Sequence, residues 1–179
     1  MKIIQFFKES FKGVWLVFRY GPGRVSQWRE ESIIDPLTGL YNRRFLEEIG
    51  KRELAKVKRL TRQGVSYPIS IIFVDIDDFK KINDEKGHAF GDKVLKQVAV
   101  LLKEVCRRET DVICRVGGDE FVILLSQTTK ENAQIIIGRL KESTEIGLSC
   151  GLSQELTWEE LHEKADVHMY QNKKRKAQT

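Results

Sequence analysis

Val112-Ile-Cys-Arg-Val-Gly-Gly-Asp-Glu-Phe-Val-Ile-Leu-Leu125 is the stretch whose reading decides the fold. Residues 112–116 and 121–125 are short β-prone runs, and Gly117-Gly118-Asp119-Glu120 between them reads as a tight hairpin turn. The two glycines permit positive φ in that turn and let a ligand approach the backbone. Upstream, residues 93–107 carry Val94, Leu95, Val98, Leu101, Leu102 and Val105 at helical spacing. Residues 69–76 are rich in β-branched side chains and read as a buried central strand. Residues 43–60 are helical, with Leu46, Ile49, Leu54, Val57 and Leu60 apolar. Downstream come a helix over 131–141 and a strand over 146–152. A closing helix follows, with Thr157 as N-cap and Glu160 completing a capping box. This order predicts an α+β fold: a ferredoxin-like, palm-type βαββαβ antiparallel sheet with flanking helices and one added helix in front.

The 179 residues suit one domain, 34–179, behind a short helical extension or linker, 1–33. Within the extension, Ile3, Ile4, Phe7, Phe11, Val14, Trp15 and Phe18 form one apolar helical face. Lys2, Lys8, Lys12 and Arg19 lie largely off it, and Gly21-Pro22-Gly23 stops the helix. The preferred reading of residues 1–20 is a helix that packs on its own domain or on a second copy. The other is peripheral contact with an anionic membrane surface. No apolar stretch approaches a membrane span, and Lys8, Glu9 and Lys12 break any signal-peptide core. The net charge of +5 suits a phosphate-bearing ligand. Its basic residues are spread along the chain, which argues against nucleic acid; only Lys173-Lys174-Arg175-Lys176 is a dense run. Three cysteines without C-x-x-C spacing indicate neither a disulfide framework nor zinc, and a cytoplasmic setting is the default.

Asp75 ends the most apolar run in the chain, and Asp77 and Asp78 follow at once. A carboxylate at the end of a buried strand is costly unless its charge is offset. Asp77 or Asp78 could cap a helix beginning near Phe79. That accounts for one acid, but not for three with Asp119 and Glu120 elsewhere. In a βαββαβ sheet the first strand neighbours the hairpin, so Asp75 and the Gly-Gly-Asp-Glu turn converge on one edge. Such a hard-oxygen site suits Mg²⁺, which is held by one or two carboxylates plus substrate phosphates.

With these residues in place, the chain resembles the GGDEF family, the bacterial diguanylate cyclases. Arg115-x-Gly-Gly-Asp-Glu-Phe121 is similar to the family's signature, and three further blocks agree in order. They are Asp35-Pro-Leu-Thr-Gly-Leu-Tyr-Asn-Arg-Arg44; Asp75-Ile-Asp-Asp-Phe-Lys-Lys-Ile-Asn-Asp84 with Gly87-His88 and Gly91-Asp92; and Ala165-Asp166 with Tyr170 and Lys173. The resemblance runs from about residue 34 to about 173. It implies condensation of two GTP into cyclic di-GMP and two pyrophosphates in a homodimer. Asp75, Asp119 and the Ile76 carbonyl would hold Mg²⁺, with Mn²⁺ as an alternative. Asp119 or Glu120 would assist deprotonation of the 3′-hydroxyl. Asn83 and Asp92 would read guanine with His88 and Phe79 nearby, and Lys80 and Lys173 would neutralise the triphosphate. Arg108 and Asp111 match a product-inhibition site of R-x-x-D form, with Arg139 as a further arginine.

Two departures from the family's pattern stand out. Lys173 is followed by Lys174-Arg175-Lys176 and not by Gly-Arg-Asn, which bears on catalytic rate. The stretch 126–146 is also too short for a small hairpin common in relatives. The competing class is a non-catalytic or weakly active module that acts as a cyclic di-GMP receptor through Arg108 and Asp111. Retention of Asp75, Asp119 and Glu120 favours the enzyme.

Overall fold

The computed structural model describes residues 33–106 and 110–154. Over these the chain forms β1 (Tyr41–Asn42), α1 (Arg43–Arg62), β2 (Ile69–Ile76), α2 (Phe79–Lys86) and α3 (His88–Val105). It continues with β3 (Val112–Arg115), β4 (Glu120–Ser126), α4 (Lys130–Glu142) and β5 (Leu148–Ser153). The strands make one sheet in the order β1-β3-β4-β2-β5. β3, β4, β2 and β5 pair antiparallel throughout. In this order β4 lies between β2 and β3, and β2 lies between β4 and β5, as two interleaved βαβ units require.

Two features differ from expectation. β1 adds to the β3 edge in parallel, so the sheet is mixed and not wholly antiparallel. Its two residues are too few to leave a period-2 signal. Secondly, the connection from β2 to β3 holds two helices. Gly87, at φ +80, ends α2 and opens α3. The helix expected from residue 93 begins at His88, because His88, Ala89 and Phe90 of its first turn are exposed and fall outside the apolar periodicity. Between β4 and β5 the chain forms α4 alone, in keeping with the shortness of that stretch.

All eight residues of β2 are buried. Both of its faces are covered, which is why its sequence is an unbroken apolar run and not an alternating one. On one face Ile72, Val74 and Ile76 pack with Phe121, Ile123 and Leu125 of β4 against Val94, Val98 and Leu102 of α3 and Ile137 and Leu140 of α4. On the other, α1 packs across β2, β3 and β4, burying Phe45, Leu46, Ile49, Leu54 and Val57. α1 starts where it does because the Asn42 side chain accepts the Phe45 N–H (3.1 Å). α1 also buries Glu53, whose carboxylate accepts from the Tyr67 hydroxyl (3.1 Å) and the Ser126 hydroxyl (2.9 Å). These bonds offset the cost of burying its charge. The expected N-terminal helix of residues 1–20, the stop at Gly21-Pro22-Gly23 and the closing helix from Thr157 lie outside the described residues.

Candidate active site

The site is built where β2 ends. Asp75 is the penultimate residue of that strand and is only 5% exposed. The register pairs it with Glu120 of β4 on one side and with Ser149 of β5 on the other. Directly paired residues project to the same face with Cβ atoms about 5 Å apart. Like charges directly opposite each other are destabilising unless a cation lies between them. One residue on, the Ile76 N–H donates to the Asp119 carbonyl (3.3 Å). The acid pair of the turn is thus brought to Asp75, as the topology expected from sequence requires. The register adds that Glu120 takes the seat opposite Asp75, while Asp119 lies in the turn itself.

The turn is held from several directions. The Val116 N–H donates to the Glu120 carbonyl (3.0 Å), closing a loop of Gly117, Gly118 and Asp119. Arg115 donates to the Gly118 carbonyl through Nε (3.1 Å) and Nη2 (2.8 Å). Its Nη1 reaches both carboxylate oxygens of Asp35 (3.3 Å each). Arg43 Nε donates to the Val116 carbonyl (3.0 Å). Neither Gly117 nor Gly118 lies at positive φ, contrary to the conformational freedom expected of them. A Cβ at Gly117 would meet the Glu120 carboxylate, so a side chain there would push that carboxylate from its place. Gly118 faces open space, which leaves the approach to the backbone clear.

Asp35 and Arg115 had no individual role assigned from sequence beyond their motifs. Asp35 accepts from the N–H of Thr38 (2.8 Å) and from its hydroxyl (2.5 Å). Burial alone would raise its pKa, but these bonds and the Arg115 charge outweigh burial and hold the carboxyl below its ordinary value. The Asp-Pro-Leu-Thr-Gly spacing is the signal that could have found it, as an aspartate whose side chain organises its own turn.

The acids after Asp75 do not cap α2 as expected. Asp78 occupies the N-cap position at φ 55 and makes no side-chain cap hydrogen bond. The Asp77 carboxylate turns to β5 and accepts from the Ser149 hydroxyl (2.6 Å). The start of α2 therefore has no side-chain cap on its amides. Such a helix start attracts anions through its N–H groups and dipole.

α2 and α3 pack together as a hairpin. Gly91 of α3 meets the side chains of α2: a Cβ there would overlap the Asn83 amide oxygen and lie 3.2 Å from Phe79 Cζ. Asn83 is half-buried on α2, and Asp92 is exposed on α3 next to Gly91. Phe79 packs against the core. Lys80 and His88 are exposed in the first turns of α2 and α3. Asp111 precedes β3, at the opposite end of that strand from the turn and roughly 13 Å away by strand rise. Burial first, then the Asp111 charge, pushes the neighbouring Cys106 thiol up to about 12. Arg139 is exposed in the last turn of α4. Arg108 and Lys173 lie outside the described residues.

Among the described residues no three His, Cys, Asp or Glu side chains form a ready metal cage. The carboxylates of Asp75 and Glu120, set opposite each other with the Asp119 turn beside them, are oxygen donors of the kind a hard divalent ion takes, which commonly uses only one or two carboxylates and completes its shell with phosphates and water.

Residues 32–146 match the family described as diguanylate cyclase, GGDEF domain. The chain is 35% identical over 155 residues to diguanylate cyclase DgcS of Shewanella oneidensis, covering 80% of this chain and 50% of that protein. It thus spans half the length of that relative, and 16% of diguanylate cyclase DgcP of Pseudomonas aeruginosa, to which it is 43% identical over 113 residues. Among solved structures, the isolated GGDEF domain of TpbB (YfiN) from Pseudomonas aeruginosa superposes with a TM-score of 0.73 at 31% identity, covering 79% of this chain and 89% of that one.

Proposed function

Since the chain belongs to the GGDEF diguanylate cyclase family, we propose that it condenses two GTP into cyclic di-GMP and two pyrophosphates. The observation that carries this reading is the register that sets Asp75 opposite Glu120, with Ile76 bonded to Asp119. Asp75, Asp119 and the Ile76 carbonyl would hold a divalent cation, Mg²⁺ in preference to Mn²⁺, which when bound would supply charge neutralisation at the triphosphate and a lowered pKa for the attacking hydroxyl. That 3′-hydroxyl attacks the α-phosphate of a GTP on a second domain. A new O–P bond forms, the bond to the pyrophosphate leaving group breaks, and the hydroxyl proton passes to Asp119 or Glu120. Positioning and charge stabilisation supply most of such catalysis.

Guanine binds at the α2–α3 junction. The Asp92 carboxylate can accept from guanine's ring N–H and exocyclic amine, a pair adenine does not offer, and Asn83 completes the edge with His88 and Phe79 nearby. Lys80 and Lys173 offset phosphate charge, and the α2 start receives the outer phosphates. Each domain carries half of the reaction, so two copies must meet. Residues 1–33 arrange that meeting, with contact at an anionic membrane surface as the second role open to them. Among the described residues no helix is long and apolar enough to cross a membrane. Arg108 and Asp111 bind product and restrain the enzyme, with Arg139 as a supporting cation.

The test is to incubate the purified chain with GTP and Mg²⁺ and to measure pyrophosphate and cyclic di-GMP. Both are expected from the native chain and neither from Asp119→Ala. An Asp119→Ala protein that still turns over GTP would overturn the site assignment. Binding of cyclic di-GMP with no turnover at any protein concentration would replace the enzyme with the receptor.

A further inference from the structure

Asp75 and Asp77 are two residues apart at the end of one strand, so strand geometry sends both side chains to the same face. Left to that geometry, Asp77 would join Asp75, Asp119 and Glu120 and crowd a further carboxylate into the site. The structure does something else with it. The β2–β5 pairing continues one residue past Ile76, with the Asp77 N–H donating to the Gly147 carbonyl (2.9 Å). Gly147 therefore stands across from Asp77 and carries no side chain. A Cβ there would lie 2.8 Å from Asp77 Oδ2 and 2.9 Å from Asp77 Cβ. Through this gap the carboxylate folds over β5 and accepts the Ser149 hydroxyl proton at 2.6 Å. Ser149 is fully buried and is itself the register partner of Asp75. A short bond from a hydroxyl to a carboxylate in a buried setting is among the stronger hydrogen bonds a protein makes.

We infer that Asp77, Gly147 and Ser149 form a clamp that positions the Asp77–Asp78 link between β2 and α2 and keeps Asp77 out of the donor set proposed for the metal. The clamp rests on the reading of this site as a GTP site and deepens it. Its lever arm is short. Asp77 lies between Ile76, whose carbonyl belongs to the proposed metal shell, and Asp78, which takes φ 55 at the start of α2. Tying Asp77 to β5 on both its backbone and its side chain sets the direction in which the chain leaves the sheet. It thereby aims the uncapped first turn of α2 at the phosphates. Asp77 is a positioning residue: it touches β5, not the reacting atoms. Gly147 belongs to the same device, because only a residue without Cβ leaves the carboxylate room to reach Ser149.

The test compares Asp77→Ala, Asp77→Asn, Ser149→Ala and Gly147→Ala in the full chain by steady-state kinetics, melting temperature and hydrogen exchange of residues 76–80. A clamp predicts that Asp77→Ala and Ser149→Ala each lower kcat about tenfold or more, since misplacement of a loop by an ångström is enough to do so. KM for GTP should move less than kcat. The double variant should be no slower than either single one, and exchange at 76–80 should rise. Asp77→Asn should recover most of the loss, because its amide oxygen still accepts from Ser149. Gly147→Ala should follow Asp77→Ala. If Asp77 were instead a metal ligand, Asp77→Asn would be as damaged as Asp77→Ala and Ser149→Ala would be near normal; that pattern overturns the clamp. Losses that vanish on cooling in step with the melting temperature would mark a purely structural bond and overturn it too. A native chain that neither binds nor turns over GTP sinks the functional reading together with the clamp's role. An active native chain with a fully active Ser149→Ala sinks the clamp alone.

Discussion

Gly91→Ala separates the packing of α3 from its work. Gly91 lies inside α3, outside the positive-φ glycines, so alanine meets no backbone strain there. Replacing a helical glycine by alanine stabilises a helix by at most about 1 kcal/mol, and Gly91 lies at the end of the first turn. Against this stands the new Cβ, which would overlap the Asn83 amide oxygen and come 3.0 Å from its Cγ and 3.2 Å from Phe79 Cζ. Overpacking of this sort costs about 1–3 kcal/mol. Phe79 is held against the core, so the Asn83 amide, at the end of its side chain, is the group that yields. The net stability loss expected from the two opposing effects is about 0–2 kcal/mol. On the proposed guanine site the functional loss is of a different kind, because a rotated Asn83 would no longer present its amide to the base. A hydrogen bond lost in this way is worth about 1–2 kcal/mol, or roughly five- to thirtyfold in the dissociation constant for GTP. Urea unfolding gives the first quantity, and calorimetric titration with a non-hydrolysable GTP analogue gives the second. A variant that binds the analogue as tightly as the native chain, at near-native stability, would show that Asn83 does not read guanine from its place against Gly91.

Further outcomes follow from the turn, from Asp35 and from the thiols. Arg115→Ala removes the bonds to the Gly118 carbonyl and to Asp35, and should lower the unfolding free energy by about 2 kcal/mol in urea. An unchanged midpoint would mean that the turn holds itself. The Asp35 carboxyl is held below its ordinary value by Thr38 and Arg115, so its contribution is present above the unfolded-state pKa and is lost as pH falls through the lower folded-state value. The stability gap between the native chain and Asp35→Asn should accordingly be full at neutral pH and shrink below about pH 4; a gap that widens on acidification would reverse the sign argued here. Cys106, Cys114 and Cys150 are all buried, and burial pushes the Cys106 and Cys114 thiols well up. A thiol reagent at pH 8 should therefore label the native chain only as it unfolds; fast labelling without denaturant would contradict the packing around β3.

Much of this molecule could be read in one dimension. Residues 69–76 are apolar without alternation, which declares a strand covered on both faces, and the structure buries all eight. Two short strands around Gly117-Gly118 could only close as a hairpin. With the helices between, the βαββαβ order and hence the meeting of Asp75 with the turn were available before any coordinates. Short or exposed pieces were not legible. β1 has two residues, and the first turn of α3 carries no apolar stripe, so neither leaves a periodic trace.

The order of elements and the inventory of chemistry are thus properties of the chain read linearly: three acids at the end of one strand, two in a turn, and an asparagine and an aspartate near a pair of glycines. Tertiary structure alone decided that Glu120 takes the seat opposite Asp75 and that Asp77 is drawn away to β5. The pairing of β2 with β5 is contact between residues more than seventy positions apart, and nothing local shows that Asp77 turns to Ser149 and does not cap α2. Only when Gly147 comes opposite Asp77 does the missing Cβ matter, and only then can Ser149 draw one carboxylate aside and leave the other facing Glu120.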